Sequence, residues 1–110
     1  MLEDADIGAY TLLEDIKNYL NITWSDERTD AKLRVMINSG QAYINSKYGE
    51  PANYEFDGLP RTLLFEYVRY MRDEALDVFE NNYTSMILAM QTQKAVRDYA
   101  AKDDAEQACS

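Results

Sequence analysis

Apolar residues along the chain recur at spacings of three and four, and nowhere do they alternate with polar ones over a strand length. That period is helical throughout and divides the chain into four amphipathic segments. The first opens at Thr11-Leu12-Leu13-Glu14, a capping box with Thr11 as N-cap and Glu14 three residues on. Leu12, Leu13, Ile16, Tyr19 and Leu20 then form one stripe, and Asn21 offers a stop. The second segment begins between Ser25 and Asp30, where Ser25, Asp26, Thr29 and Asp30 are all competent caps. Leu33, Met36, Ile37, Gly40, Tyr43, Ile44 and Tyr48 share one face of it, Gly49 is placed to end it, and Pro51 lies just beyond. Gly40 costs helix stability. Close approach of another helix and simple tolerance both account for its presence.

Residues 50–58 read as a loop with a turn at Asp57-Gly58, and Tyr54 and Phe56 are available to fold back onto the core. Pro60 suits the first turn of the third helix. Leu63, Leu64, Tyr67, Val68, Met71, Ala75, Val78 and Phe79 carry that helix to about Glu80, roughly 30 Å at 1.5 Å per residue. Glu66, Arg69, Asp73 and Asp77 occupy its opposite face, with Glu66–Arg69 and Arg69–Asp73 spaced for ion pairs. The length and regularity of this helix predict that it stands at the centre of the bundle.

Asn81-Asn82 interrupts the pattern, and a fourth helix follows from Thr84 to Ala101. Its apolar residues, Met86, Ile87, Leu88, Met90, Ala95, Val96 and Tyr99, are dense at the start and sparse afterwards. A stripe that fades in this way predicts a helix that leaves the core and projects. The expected fold is therefore all-α: a small bundle of about four helices, with a long central helix and a projecting C-terminal one. It forms a single domain over 1–102, followed by a flexible acidic tail over 103–110.

Length and charge narrow the functional classes. At 110 residues the chain is one domain that hides about two-thirds of its unfolded surface, which leaves much area for partners. The apolar fraction, 46%, permits a core. With 20 acidic and 11 basic residues the net charge is −9, which disfavours stand-alone binding to nucleic acid or anionic membrane. An acidic wall is compatible with a channel through which DNA slides without sticking. No apolar run approaches the length of a membrane span. The acidic start, Met1-Leu2-Glu3-Asp4-Ala5-Asp6, has the wrong sign for a signal peptide. The single cysteine, Cys109, cannot form an internal disulfide, which fits a reducing compartment.

Candidate chemistry is sparse. The absence of histidine removes Ser-His-Asp and Cys-His catalysis and every histidine metal site. The sequence contains no phosphate-binding glycine loop, no CxxC and no calcium loop. Asp103, Asp104 and Glu106 read as a solvated tail in preference to a cation site, and close carboxylate pairs such as Asp73 and Asp77 are expected by chance among 20 acids. Neither an enzyme nor a cofactor or metal site is expected.

Tyrosine is over-represented, with nine residues. Tyr43, Tyr48 and Tyr67 fall on the apolar stripes and read as core. Tyr70, Tyr83 and Tyr99 fit either the edge of the core or a protein interface, since tyrosine joins a large apolar area to one polar tip. Met86 and Met90 read first as core filler.

The order of these pieces is similar to a known family. Leu12-Leu13-Glu14-Asp15-Ile16-Lys17-Asn18-Tyr19-Leu20 is followed by Ile22 and the acidic cap region, then by Asp30-Ala31-Lys32-Leu33, Ile37, Gly40, Ala42-Tyr43-Ile44 and Tyr48-Gly49. Leu59-Pro60 then opens a long helix that closes on Ala75-Leu76-Asp77-Val78-Phe79-Glu80-Asn81-Asn82-Tyr83. Over roughly residues 10–90 this resembles the head–tail connector (adaptor) proteins of long-tailed bacteriophages and prophages. The residues after Met90 have no match in that pattern.

The resemblance implies a helical subunit that self-associates into a ring, commonly dodecameric, beneath the portal protein. Such a ring extends the DNA channel in the virion neck, receives a downstream neck or tail protein, and is assembled in the bacterial host cytoplasm. On this reading Tyr70, Tyr83, Ile87, Leu88, Met90 and Tyr99 are the expected interface residues, the alternative being that Ile87 and Leu88 bury within their own subunit. A reading from a different class is a regulatory helical module whose acidic surface binds and inhibits a host protein.

Overall fold

The computed structural model describes the backbone of residues 12–109 and side chains as far as Lys102. The described residues are all helix, turn and loop, and form the small helical bundle that the periodicity predicts. Helix α1 covers residues 12–19, α2 covers Glu27–Tyr48, α3 covers Leu59–Arg72 and α4 covers Phe79–Cys109. The capping box lies outside the described residues, because Thr11 does.

Local chemistry sets the boundaries. Asn21 takes the left-handed conformation (φ 61°) just past α1, where the Ile22 N–H reaches the Lys17 carbonyl at 2.8 Å. Asp26 caps α2 and accepts from the N–H groups of Arg28 and Thr29 at 3.4 and 3.3 Å. Gly49 (φ 92°) closes the same helix, its N–H donating to the Asn45 carbonyl at 2.8 Å. The loop that follows is tied down by Tyr54, whose buried ring donates its hydroxyl to Asn45 Oδ1 at 2.6 Å, while Arg61 Nη1 donates to the Tyr54 carbonyl at 2.8 Å. Phe56, the other aromatic expected to fold back, is 69% exposed instead.

Helix α3 is central, as its pattern predicts. Leu63, Leu64, Phe65, Glu66, Tyr67 and Val68 are six consecutive buried residues, so α3 is covered on every side along that stretch. On one side α2 crosses at Gly40. A Cβ there would stand 2.7 Å from Leu64 Cδ1 and 2.9 Å from Tyr67 Cδ1, so close helix approach accounts for the glycine. On another side α1 packs through Tyr19 against Phe65, with ring centroids 5.2 Å apart. An ion pair from Arg61 to Asp15 at 2.7 Å joins the same two helices. The nearly buried Lys17 pairs with Asp30 at 3.0 Å and links α1 to α2.

The second half of the chain departs from the pattern in two places. The third helix, expected to reach Glu80, ends at Arg72. Glu74 adopts the left-handed conformation (φ 56°), the Ala75 N–H donates back to the Tyr70 carbonyl at 2.9 Å and the Glu74 N–H to that of Met71 at 3.2 Å. This is the same closure used at Asn21, built here on a glutamate. Leu76–Val78 form one 3₁₀ turn, and α4 starts at Phe79. The interruption expected at Asn81-Asn82 is instead helical, and the bend falls at Tyr83 (φ −115°, ψ 16°). The periodicity concealed the turn because Phe79, now on α4, points back into the same core.

Helix α4 leaves the body as expected. Phe79, Ile87 and Met90 are buried, Gln91 and Lys94 half-buried, and every residue from Ala95 to Lys102 is exposed. The backbone stays helical to Cys109, through the segment that the composition reads as a flexible tail from 103.

Candidate interaction surface

The root of α4 is fixed by a polar knot that the sequence pattern placed on the solvent face. Glu66 is 6% exposed, not facing solvent as expected. Its carboxylate accepts hydrogen bonds from the hydroxyls of Tyr19 on α1 and Tyr83 on α4, and from Arg69 Nε and Nη2 at 3.0 and 2.5 Å. The expected Glu66–Arg69 pair is therefore present, but it sits at the junction of three helices. Burial pushes the Glu66 carboxyl up. The hydrogen bonds from Arg69, Tyr19 and Tyr83 and the Arg69 charge outweigh that and hold it below the usual glutamate value. Asp73, expected to pair with Arg69, instead caps α3, its N–H donating to the Arg69 carbonyl at 3.1 Å.

Beside the knot lies an aromatic cluster centred on Phe79. Tyr67, Tyr70 and Tyr83 pack on that ring with centroids 5.4, 5.6 and 5.0 Å away, and Tyr70 meets Tyr83 edge-on at 5.6 Å. Asn82 Nδ2 donates to the Tyr70 hydroxyl at 3.1 Å. Tyr70 and Tyr83 are thus half-buried, with ring and hydroxyl engaged inside their own subunit. Two further expected contact residues are core: Ile87 is 6% and Met90 1% exposed. They face inward from α4 and are not free for a partner.

Leu88 and Tyr99 are on the surface, 55% and 75% exposed. With Thr92, Ala95 and Val96 they form an exposed stripe at spacings of three and four on the face of α4 turned away from the body. The inward face is tied to the body as far as Arg97. Gln91 Nε2 donates to the Lys47 carbonyl at 2.9 Å, and Arg97 reaches the Tyr48 hydroxyl at 3.0 Å and Glu50 at 2.8 Å. Lys94 pairs with Asp98 at 2.9 Å and stands over the Tyr48 ring. The outer stripe is therefore held in a set direction while remaining uncovered. Val96 (64% exposed) belongs to it and was not among the expected contact residues. Its phase relative to Leu88 and Tyr99 carries that information.

Trp24 (50%) and Val35 (64%) are two more exposed apolar side chains. Val35 lies about 200° around α2 from buried Leu33, so an apolar residue opposite the stripe was the available signal. A groove of about 470 Å³ runs between the end of α2 and the start of α4, lined by Lys47, Glu80, Thr84 and Leu88 among others. Within it Lys47 pairs with Glu80 at 2.6 Å. Among the described residues no group of three or more His, Cys, Asp or Glu is placed to hold a metal ion, and no helix is long and apolar enough to cross a membrane. Comparison of the chain with family models, with curated proteins and with solved structures finds no match in any of the three.

Proposed function

We propose that this chain is a structural assembly subunit of a bacteriophage or prophage neck. It forms a ring between the portal protein and a downstream neck or tail protein, and the ring extends the DNA channel in the virion neck. Its work is contact and not catalysis. The observation that supports this reading is the outward stripe of α4, where Leu88, Val96 and Tyr99 are exposed and left uncovered by the rest of the described chain. Exposed apolar side chains aligned along one face of a projecting helix suit contact with another protein. The resemblance of residues 10–90 to connector proteins supplies the kind of assembly. The charge of −9 suits a wall past which DNA moves without being bound.

Electron microscopy of the chain mixed with its cognate portal tests the reading. A ring decorating the portal, dodecameric by analogy with the family, is the expected result. A portal left bare, together with a stable monomer that displaces DNA from a host enzyme, would favour the acidic regulatory module.

A further inference from the structure

A small recess lies where α2, the turn at 73–78 and the start of α4 meet. Tyr43, Tyr67, Leu76, Asp77, Phe79 and Glu80 line a volume of about 180 Å³. Pockets for drug-sized ligands begin at ~300 Å³, so the occupant of this one is a small group. Three of the six residues are aromatic rings in mutual contact. Tyr43 meets Tyr67 at 5.4 Å and Phe79 at 6.0 Å, and Phe79 stands at 77° to both rings. Tyr67 and Phe79 are buried and form the floor, whereas Asp77 and Glu80 are exposed and form the rim. Carboxylates at the mouth and aromatic rings behind them both favour a cation.

Two polar groups of the recess are short of partners. Asp77 makes no ion pair among the described residues. The Tyr43 hydroxyl is shut away from solvent and has no hydrogen-bond partner among them, whereas the Tyr67 hydroxyl is taken up by Ser39 at 3.0 Å. Burial and the neighbouring Glu80 carboxylate push the Tyr43 hydroxyl up to about 12, so it stays neutral and keeps its lone pairs for an incoming donor. A buried hydroxyl without a partner costs stability, which a bound N–H would recover. Lys47 shows what these groups attract. Its Nζ stands 2.6 Å from Glu80 and 5.5 Å from the centroid of the Tyr43 ring. Lys47 lines the neighbouring groove, which Asp77 and Glu80 also border, and not the recess itself.

We propose that the recess binds an organic cation that carries N–H groups, a primary ammonium or guanidinium on a short alkyl stem. The stem lies against Leu76 and the rings, and the N–H groups donate to Asp77, Glu80 and the Tyr43 oxygen. A quaternary ammonium would satisfy the rings and leave the Tyr43 oxygen without a donor. The site is additional to the neck assignment and does not rest on it.

Heteronuclear NMR of the full chain, titrated with butylammonium chloride at constant ionic strength, tests the site. Saturable shifts at Tyr43, Tyr67 and Phe79 are expected, with a Kd of about 1 mM. Butyrate should produce none, and tetramethylammonium, which has no N–H, should bind about tenfold more weakly. Asp77→Asn should weaken butylammonium about threefold. Tyr43→Phe keeps the ring and should also weaken butylammonium about threefold, while leaving tetramethylammonium unchanged. Circular dichroism confirms that each variant folds. Two sources carry such a group: a free amine and a Lys or Arg side chain of another protein. Capped Gly-Lys-Gly and Gly-Arg-Gly peptides distinguish them. Peptides that bind as tightly as butylammonium support the site and assign it to a side chain, and weaker peptides beside a saturating amine support it and assign it to the free amine. Shifts that do not saturate, that butyrate or tetramethylammonium equals, or that both substitutions leave unchanged overturn the site.

Discussion

The Tyr83 hydroxyl, at the bend of α4, donates to the Glu66 carboxylate buried in α3. Tyr19 and Arg69 complete the knot, so removing one negative charge loosens three helices together. Glu66→Gln preserves the shape and weakens each of these hydrogen bonds. It should cost about 2 kcal/mol at pH 7 in urea unfolding.

The same residue sets a pH dependence whose sign follows from its depressed pKa. Unfolded, the carboxyl titrates near the ordinary value, about 4.3, and folded it titrates lower. The unfolded state therefore binds the proton first as pH falls. The stabilisation is complete above about pH 5 and disappears as the pH passes through the folded value. The gap between wild type and Glu66→Gln should narrow between pH 5 and pH 3. A constant gap across that range would show that Glu66 does not drive it.

Gly40→Ala sets two effects against each other. Alanine gains about 1 kcal/mol of helix propensity. Its Cβ would approach Leu64 and Tyr67 to 2.7 and 2.9 Å, and the Tyr67 ring cannot swing aside freely, because it packs on Phe79 and its hydroxyl shares a 3.0 Å hydrogen bond with Ser39. Overpacking of this kind costs about 1–3 kcal/mol. The net expectation is a loss of about 1 kcal/mol by thermal or chemical unfolding, and a stabilised variant would contradict the account.

Glu74→Gly should move stability the other way. The left-handed φ of 56° strains a residue with a Cβ, and glycine relieves the strain at some entropic cost in the unfolded chain. A gain of about 0.5–1 kcal/mol is expected, with an unchanged circular dichroism spectrum. The matching change at Gly49 (φ 92°), Gly49→Ala, should cost a similar amount.

The two faces of α4 should separate in mutagenesis. Met90→Ala empties a core position and should cost about 2–4 kcal/mol. Val96→Ser with Tyr99→Ser touches exposed side chains only and should change stability by less than about 0.5 kcal/mol; under the proposed neck function it should reduce assembly on the portal. Loss of stability without loss of assembly would reverse the roles assigned to the two faces.

The helical class, the Asn21 and Gly49 boundaries, the start of α2 within 25–30 and the centrality of α3 were legible because periodicity and cap chemistry report local geometry directly; which of the four competent caps is used, Asp26, was not. The turn at 73–78 was not, because its left-handed residue is a glutamate and the apolar period runs through it unbroken. Glu66 read as a surface charge because a buried carboxylate is recognised only by its partners, and Tyr19 and Tyr83 lie 47 and 17 residues away. Leu88 and Tyr99 were found on the surface by the fading stripe. Ile87 and Met90 are expected contact residues on the same reading, with burial the alternative for Ile87 and core filling for Met90, because a helix that both packs and projects mixes two phases over one turn.

The overhang of α4 has a geometric result of its own. Past Arg97, its last tie to the body, the helix runs on for about 18 Å to Cys109, nearly the 19 Å of the molecule's smallest principal dimension. In the proposed ring an arm of that length would reach most of the way across a neighbour's narrow side, with no part having to unfold.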